Sequence, residues 1–158
     1  GFGYGLATTQ ASLAGAYTVF TNQGARVAPT LLARGPDAEV ERATVFSPEV
    51  TRQVLAYMRA TVTSGTGRAA DVPGLAIAGK TGTAELFGGA TGYDERRNFS
   101  SFAGVFPAHD PRYVIVVSLD GVGEGAVGGA IAAPVVARTL RRIAPMLGLR
   151  GEPAAQTR

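Results

Sequence analysis

Two apolar runs, Phe99 to Phe106 and Arg112 to Asp120, are separated only by Pro107-Ala108-His109-Asp110-Pro111. A connection this short cannot carry the chain across a sheet to make a parallel pair, which takes a crossover of about a dozen residues or more. The two runs therefore lie side by side and antiparallel. Upstream, from Leu75 the periodicity switches to two, so Leu75 to Ala84 reads as a third, extended strand. Two helical segments precede it. In the first, Thr8 or Thr9 can cap a run in which Leu13, Ala16, Tyr17 and Phe20 recur at helical spacing until Asn22 to Gly24 stops it. In the second, Ser47-Pro48-Glu49 supplies a capping hydroxyl, a proline at the first helical position and an acid in the first turn. Val50, Val54, Tyr57, Met58 and Thr61 then share one face as far as Ser64-Gly65-Thr66-Gly67.

After the glycine-rich Gly121 to Gly129, Ala130 to Leu147 reads as a closing helix with Ile131, Val135, Leu140, Ile143 and Leu147 available for packing. The order is helix, helix, strand, strand, strand, helix, without the strand-helix alternation of a parallel sheet. The fold class expected is α+β, an antiparallel sheet flanked by helices. Val27 to Arg42, with Pro29 and Pro36, reads as a connector holding a short strand at Thr30 to Ala33. Leu86 to Arg97, with Gly88, Gly89 and Gly92 among several charges, reads as a long loop. Residues 1–150 are expected to form the folded segment, and Gly151 to Arg158 a disordered tail.

Apolar residues make up 46% of the 158 and charged residues 17%, a balance that supports a packed core rather than disorder. Without cysteine, no disulfide, thiolate metal site or cysteine nucleophile is possible. The single histidine, His109, lies between prolines in the expected turn and reads as a solvent-exposed residue, so no metal or cofactor is expected. The apolar runs are too short to cross a bilayer, so any membrane anchor would lie outside this chain. The net charge of +3 comes with arginines scattered along the chain, and only Arg138, Arg141 and Arg142 come close together. Those three suit the end of a helix, and nucleic acid is not an expected partner.

The only lysine, Lys80, sits where two motifs overlap. Gly74 to Thr81 satisfies the G-x-x-x-x-G-K-[ST] pattern of a phosphate-binding loop, and Tyr113 to Asp120 offers an apolar strand ending in aspartate. That pattern needs a glycine turn between a strand and a helix, whereas Leu75-Ala76-Ile77-Ala78 suits a strand, and more glycines follow before a helix could form. The competing reading takes Lys80-Thr81-Gly82-Thr83 as the K-T-G element of serine acyl-transfer enzymes. A peptide ending in a carboxylate can add to such a strand edge by backbone hydrogen bonds, with a lysine and hydroxyls supplying charge and donors for the anion. Gly82 lets the ligand backbone approach closely. Alternation places Lys80 and Gly82 on one face and Thr81 and Thr83 on the other, so spacing alone does not show their convergence. A non-catalytic binding or scaffold module is the third reading.

The flanks favour K-T-G. Gly65-Thr66-Gly67-Arg68-Ala69-Ala70, Val72-Pro73-Gly74 and Ala78 to Glu85 resemble the run into the K-T-G strand of class B penicillin-binding proteins. Gly3-Tyr4-Gly5 with Thr9 to Ala14 and Ala16-Tyr17, Ser101 to Ala108, Asp110 to Tyr113, and Gly128-Gly129 with Ala132 to Val135 are similar to other segments of that family, in order, across about Gly1 to Leu147. The likeness is to division-type peptidoglycan D,D-transpeptidases. It implies an incomplete penicillin-binding/β-lactamase-like fold and a cell-wall enzyme that cleaves a terminal D-Ala-D-Ala through an acyl-serine, transfers the acyl group to an amine and binds β-lactams. It also implies an envelope location, on the periplasmic face of the cytoplasmic membrane, with division proteins as possible partners.

By the same resemblance, Lys80 would polarise the pocket and assist proton transfer, Thr81 and Thr83 would bind the carboxylate and peptide, and the Thr83 backbone N–H would help form the oxyanion hole. The family also uses Ser-x-x-Lys and Ser-x-Asn upstream, and neither occurs here. The expectation is that the preceding half of the domain supplies the nucleophile. Arg112 to Asp120 would then present an apolar edge for that half or for a second copy of this chain. Glu85 is expected to be a strand-end carboxylate near Arg96 or Arg97, and Tyr93 to Arg97 a solvated loop.

Overall fold

The computed structural model describes residues 7–35, 37–87, 93–123 and 127–149, with the backbone alone for 86–87 and 93–97. The glycine-rich start, the centre of the expected Leu86–Arg97 loop and the expected tail lie outside the described residues.

Helix α1 is Gln10–Thr21, and the Thr9 side chain accepts from the Ser12 N–H at its start. Helix α2, Pro48–Ser64, is capped in the same way by Ser47, which accepts from Val50 N–H, with Pro48 in the first turn. The connector differs from expectation. Thr30 to Ala33 forms no strand, and a small antiparallel sheet pairs β1, Ala25–Val27, with β2, Arg42–Thr44. The reason is local: Gly24 adopts φ +96, and its carbonyl accepts from the N–H groups of Val45 and Phe46, drawing the segment before α2 back beside the end of α1.

The main sheet has the order β3-β4-β5, antiparallel throughout, from β3 Ala78–Phe87, β4 Tyr93–Phe106 and β5 Tyr113–Val122. The strand expected from Leu75 begins later, because Val72 to Leu75 closes a turn and Gly74 and Ala76 both have positive φ. Most of the expected loop is strand instead. After an irregularity between Glu85 and Leu86, Leu86 faces Asp94 and Phe87 faces Tyr93, so the hairpin extends beyond the apolar stretch. Glu85 is therefore a mid-strand residue opposite Asn98, and the expected Arg96 and Arg97 neighbours lie outside the described side chains. Helix α3, Gly128–Ile143, starts two residues before expectation and gives way to a 3₁₀ turn at Pro145–Leu147.

Both faces of the sheet are covered, which explains why β5 reads as an unbroken apolar run. Phe102, Phe106, Tyr113 and Ile115 face α3, where Ala133, Val136 and Leu140 complete the larger core. Ala78, Val105 and Val114 face α1 and α2, against Tyr17, Phe20 and Met58. Phe102 has no exposed surface, and burying such a ring is worth roughly 1.5–3 kcal/mol. Its room comes from the paired Gly79 and Gly104, since a Cβ on either would overlap the ring. Arg59 of α2 ties the approach to β3, donating to Asp71 Oδ1 and to the Ile77 carbonyl, both at 2.8 Å.

Candidate active site

Lys80 lies in mid-strand opposite Ala103, and Gly82 lies opposite Ser101. No helix begins at Gly79-Lys80, so the strand-loop-helix geometry of a phosphate-binding loop is not formed. Among the described residues, β3 is paired only on its β4 side and its other edge carries no strand.

The face turned toward α3 carries Thr81 and Thr83. Both line a cleft of about 550 Å³ with Thr66, Arg68 and the first residues of α3. Thr83 Oγ1 accepts from Gly128 N–H at 2.9 Å, so the hydroxyl proton remains available for donation. This bond also occupies one of the otherwise free N–H groups at the start of α3, where the preceding capping residue, Val127, supplies no side-chain bond. The positive end of the helix dipole thus lies beside Thr83. Thr81 Oγ1 lies 2.9 Å from Thr66 Oγ1.

Lys80 is exposed and starts from the opposite face, yet its chain bends round the strand. Nζ donates to the Thr81 carbonyl at 2.8 Å and lies 3.4 Å from Thr81 Oγ1. Charge and hydroxyls therefore meet at Thr81, which alternation along the sequence does not reveal. Gly82 serves two contacts: a Cβ there would meet Ser101 Oγ at 2.5 Å, while Gly128, itself without a side chain, closes on the Gly82 carbonyl. Among the described residues no carboxylate lines the cleft, and Arg68 adds positive charge. Such a surface suits an anion held by hydroxyl donors.

A larger cleft, about 790 Å³, opens on the face covered by α1 and α2, where Arg52, His109 and Asp110 lie around an apolar floor. Its size does not make it the better site. Arg59 in its wall is already bonded to Asp71 and Ile77. His109 is exposed there, and among the described residues no three His, Cys, Asp or Glu side chains come together as metal ligands.

Comparison with known proteins gives one answer. Residues 1–141 match the penicillin-binding protein transpeptidase domain, and the chain belongs to that family. It is 36% identical to the probable peptidoglycan D,D-transpeptidase FtsI of Caulobacter vibrioides, across 94% of this chain and 28% of that protein. With the probable peptidoglycan D,D-transpeptidase PbpC of Pseudomonas aeruginosa it shares 38% identity, across 99% of this chain and 28% of the relative. The apo transpeptidase domain of Burkholderia pseudomallei penicillin-binding protein 3 superimposes with a TM-score of 0.85 at 32% identity, over 96% of this chain and 46% of that one. Penicillin-binding protein 3 of Mycobacterium tuberculosis, solved with aztreonam, gives 0.80 at 29% identity, over 96% and 38%. The chain thus spans little more than a quarter of these curated relatives and less than half of these solved chains.

Two further site residues, Thr66 and Gly128, fall in segments that carry the family likeness but were not among the residues expected at the site. Thr66 and Gly128 lie 15 residues before Thr81 and 45 after Thr83. The signals were the likeness of Gly65 to Ala70 and of Gly128-Gly129 to segments of the family, and the glycines within them.

Proposed function

We propose that the protein is a serine-type peptidoglycan D,D-transpeptidase in which this chain supplies the K-T-G wall and a serine outside it supplies the nucleophile. The observation that carries this reading is the convergence of Lys80 Nζ and the Thr81 hydroxyl, beside the Gly128-backed Thr83 hydroxyl, along an open strand edge. A stem peptide ending in D-Ala-D-Ala would lie along β3 with its terminal carboxylate against Thr81 and Thr83. Attack of the serine oxygen on the carbonyl between the two D-Ala residues forms a tetrahedral oxyanion, which the Thr83 backbone N–H helps to hold. Collapse expels the terminal D-Ala and leaves an acyl-serine. The amine of a neighbouring strand then attacks that ester, forming the cross-link and freeing the serine. Lys80 supplies positive potential and aids proton movement through the serine of a Ser-x-Asn element. A β-lactam enters by the same route, opening its ring on the serine, and stays attached because no leaving group departs.

The same reading puts the enzyme at the periplasmic face of the cytoplasmic membrane, anchored by a segment outside this chain, where division proteins are the expected neighbours. The β5 edge supports pairing with the other half of the domain or with a second copy: among the described residues β5 is paired only with β4, and Tyr113 to Leu119 are all half-buried.

The test is to treat the intact protein with a fluorescent penicillin and map the adduct by peptide mass. The expected result is one labelled serine outside residues 1–158. An adduct on a serine within them, or no adduct, would sink the proposal.

A further inference from the structure

The two threonines of the cleft are not supported alike. Thr83 is backed by a backbone N–H, which can only donate, so its own proton is directed outward by Gly128. Among the described residues the Thr81 hydroxyl has no backbone donor. Its oxygen lies within reach of Lys80 Nζ at 3.4 Å, a long contact, and of Thr66 Oγ1 at 2.9 Å, the shorter of the two. Two hydroxyls facing each other leave the direction undetermined until a third group selects it. An anion in the cleft accepts but cannot donate, so it draws the Thr81 proton and makes Thr66 the donor to Thr81. The resulting chain, Thr66 hydroxyl to Thr81 hydroxyl to anion, polarises in one direction.

The fold holds Thr66 in place for this. Gly65 and Gly67 N–H both donate to the Thr61 carbonyl, at 3.1 and 3.0 Å, which pins the turn after α2. On its other side, Gly129 lacks the side chain that would strike the Thr66 carbonyl, so the start of α3 closes on this turn. We infer that Thr66 is a positioning residue that sets the direction of the Thr81 hydroxyl toward the ligand carboxylate. It acts through Thr81, and the inference rests on the acyl-transfer reading of the site.

The experiment measures the second-order acylation rate of the intact protein by benzylpenicillin, which carries a free carboxylate. Thr66→Val is expected to slow acylation about tenfold, the upper end of what one neutral hydrogen bond contributes. Thr66→Ser, which keeps the hydroxyl, is expected to stay within about twofold of wild type. In a Thr81→Val background, Thr66→Val should cost nothing further, because the group it orients is gone. Thr66 is exposed, so the variants should fold, and unchanged thermal unfolding is the accompanying control. An unchanged rate for Thr66→Val in a wild type that is acylated overturns this inference and leaves the functional reading standing. A loss that persists undiminished in the Thr81→Val background, or that serine does not repair, also overturns it. A wild type that is not acylated at all removes both.

Discussion

Ala78 and Gly79 are sealed between α2 and the Phe102 ring, whereas Lys80 and Thr83, one and four residues further along the same strand, are open to solvent. The buried stretch is made of the smallest residues because a large ring and a helix close on it from opposite sides. The open stretch is polar because its partners are a helix terminus, a neighbouring hydroxyl and the space beyond the sheet edge. One strand thus carries a structural half and a chemical half, and substitutions should separate them.

The largest effect is expected at Gly79. A Cβ there would overlap Phe102 and come within 2.8 Å of the Ala103 carbonyl, and valine adds two more carbons in the same place. Overpacking a tight core costs about 1–3 kcal/mol, sometimes more, and Gly79→Val should reach at least the top of that range. Denaturant unfolding of the intact protein measures it. A loss under about 1 kcal/mol would mean that the ring has room to move and that the division of β3 is not sharp.

At Lys80 the expectation reverses. Among the described residues the ammonium bonds only to the neighbouring Thr81, so Lys80→Ala should change unfolding by no more than about 0.5 kcal/mol. Penicillin acylation should fall by roughly 100-fold, the scale on which one oriented electrostatic group acts in acyl transfer. Comparable damage to stability would place Lys80 with the structural half of the strand.

The same division explains what was legible beforehand. Thr9 and Ser47 announce their helices because capping is local, a side chain meeting an N–H three residues on. The antiparallel order of β4 and β5 follows from a five-residue turn. The reach of the β3–β4 hairpin was not legible, because Leu86 and Phe87 are strand through pairing with Asp94 and Tyr93 across a register shift, while the stretch from Leu86 to Arg97 has the charges and glycines of a loop. The β1–β2 pair was hidden for a similar reason: its three-residue strands, the second of them fully exposed, owe their pairing to the turn at Gly24. In the site, Lys80, Thr81, Gly82 and Thr83 could be picked out because they are contiguous. Thr66 and Gly128 stood only within segments that carry the family likeness; their place at the site comes from the packing of α3 on the turn after α2.

The smallest expected effect lies on the buried side, at Tyr17, which packs in the cluster around Ala78. Burial pushes its hydroxyl above the ordinary 10.0. The folded state therefore holds this proton more tightly than the unfolded chain does. The stability tied to it is complete below the unfolded value near pH 10 and is lost as pH climbs through the raised folded value. One proton limits the slope to about 1.4 kcal/mol per pH unit. Tyr17→Phe removes that proton and should flatten the decline in stability as pH rises above about 10, relative to wild type. Introducing Lys80→Ala into both proteins should leave the difference between them intact, because Lys80 stands on the open stretch and, among the described residues, its ammonium bonds only to Thr81. If the decline is equally steep in the Tyr17→Phe variant, ionisation elsewhere controls alkaline unfolding, and the packing around Ala78 is looser than the structure implies.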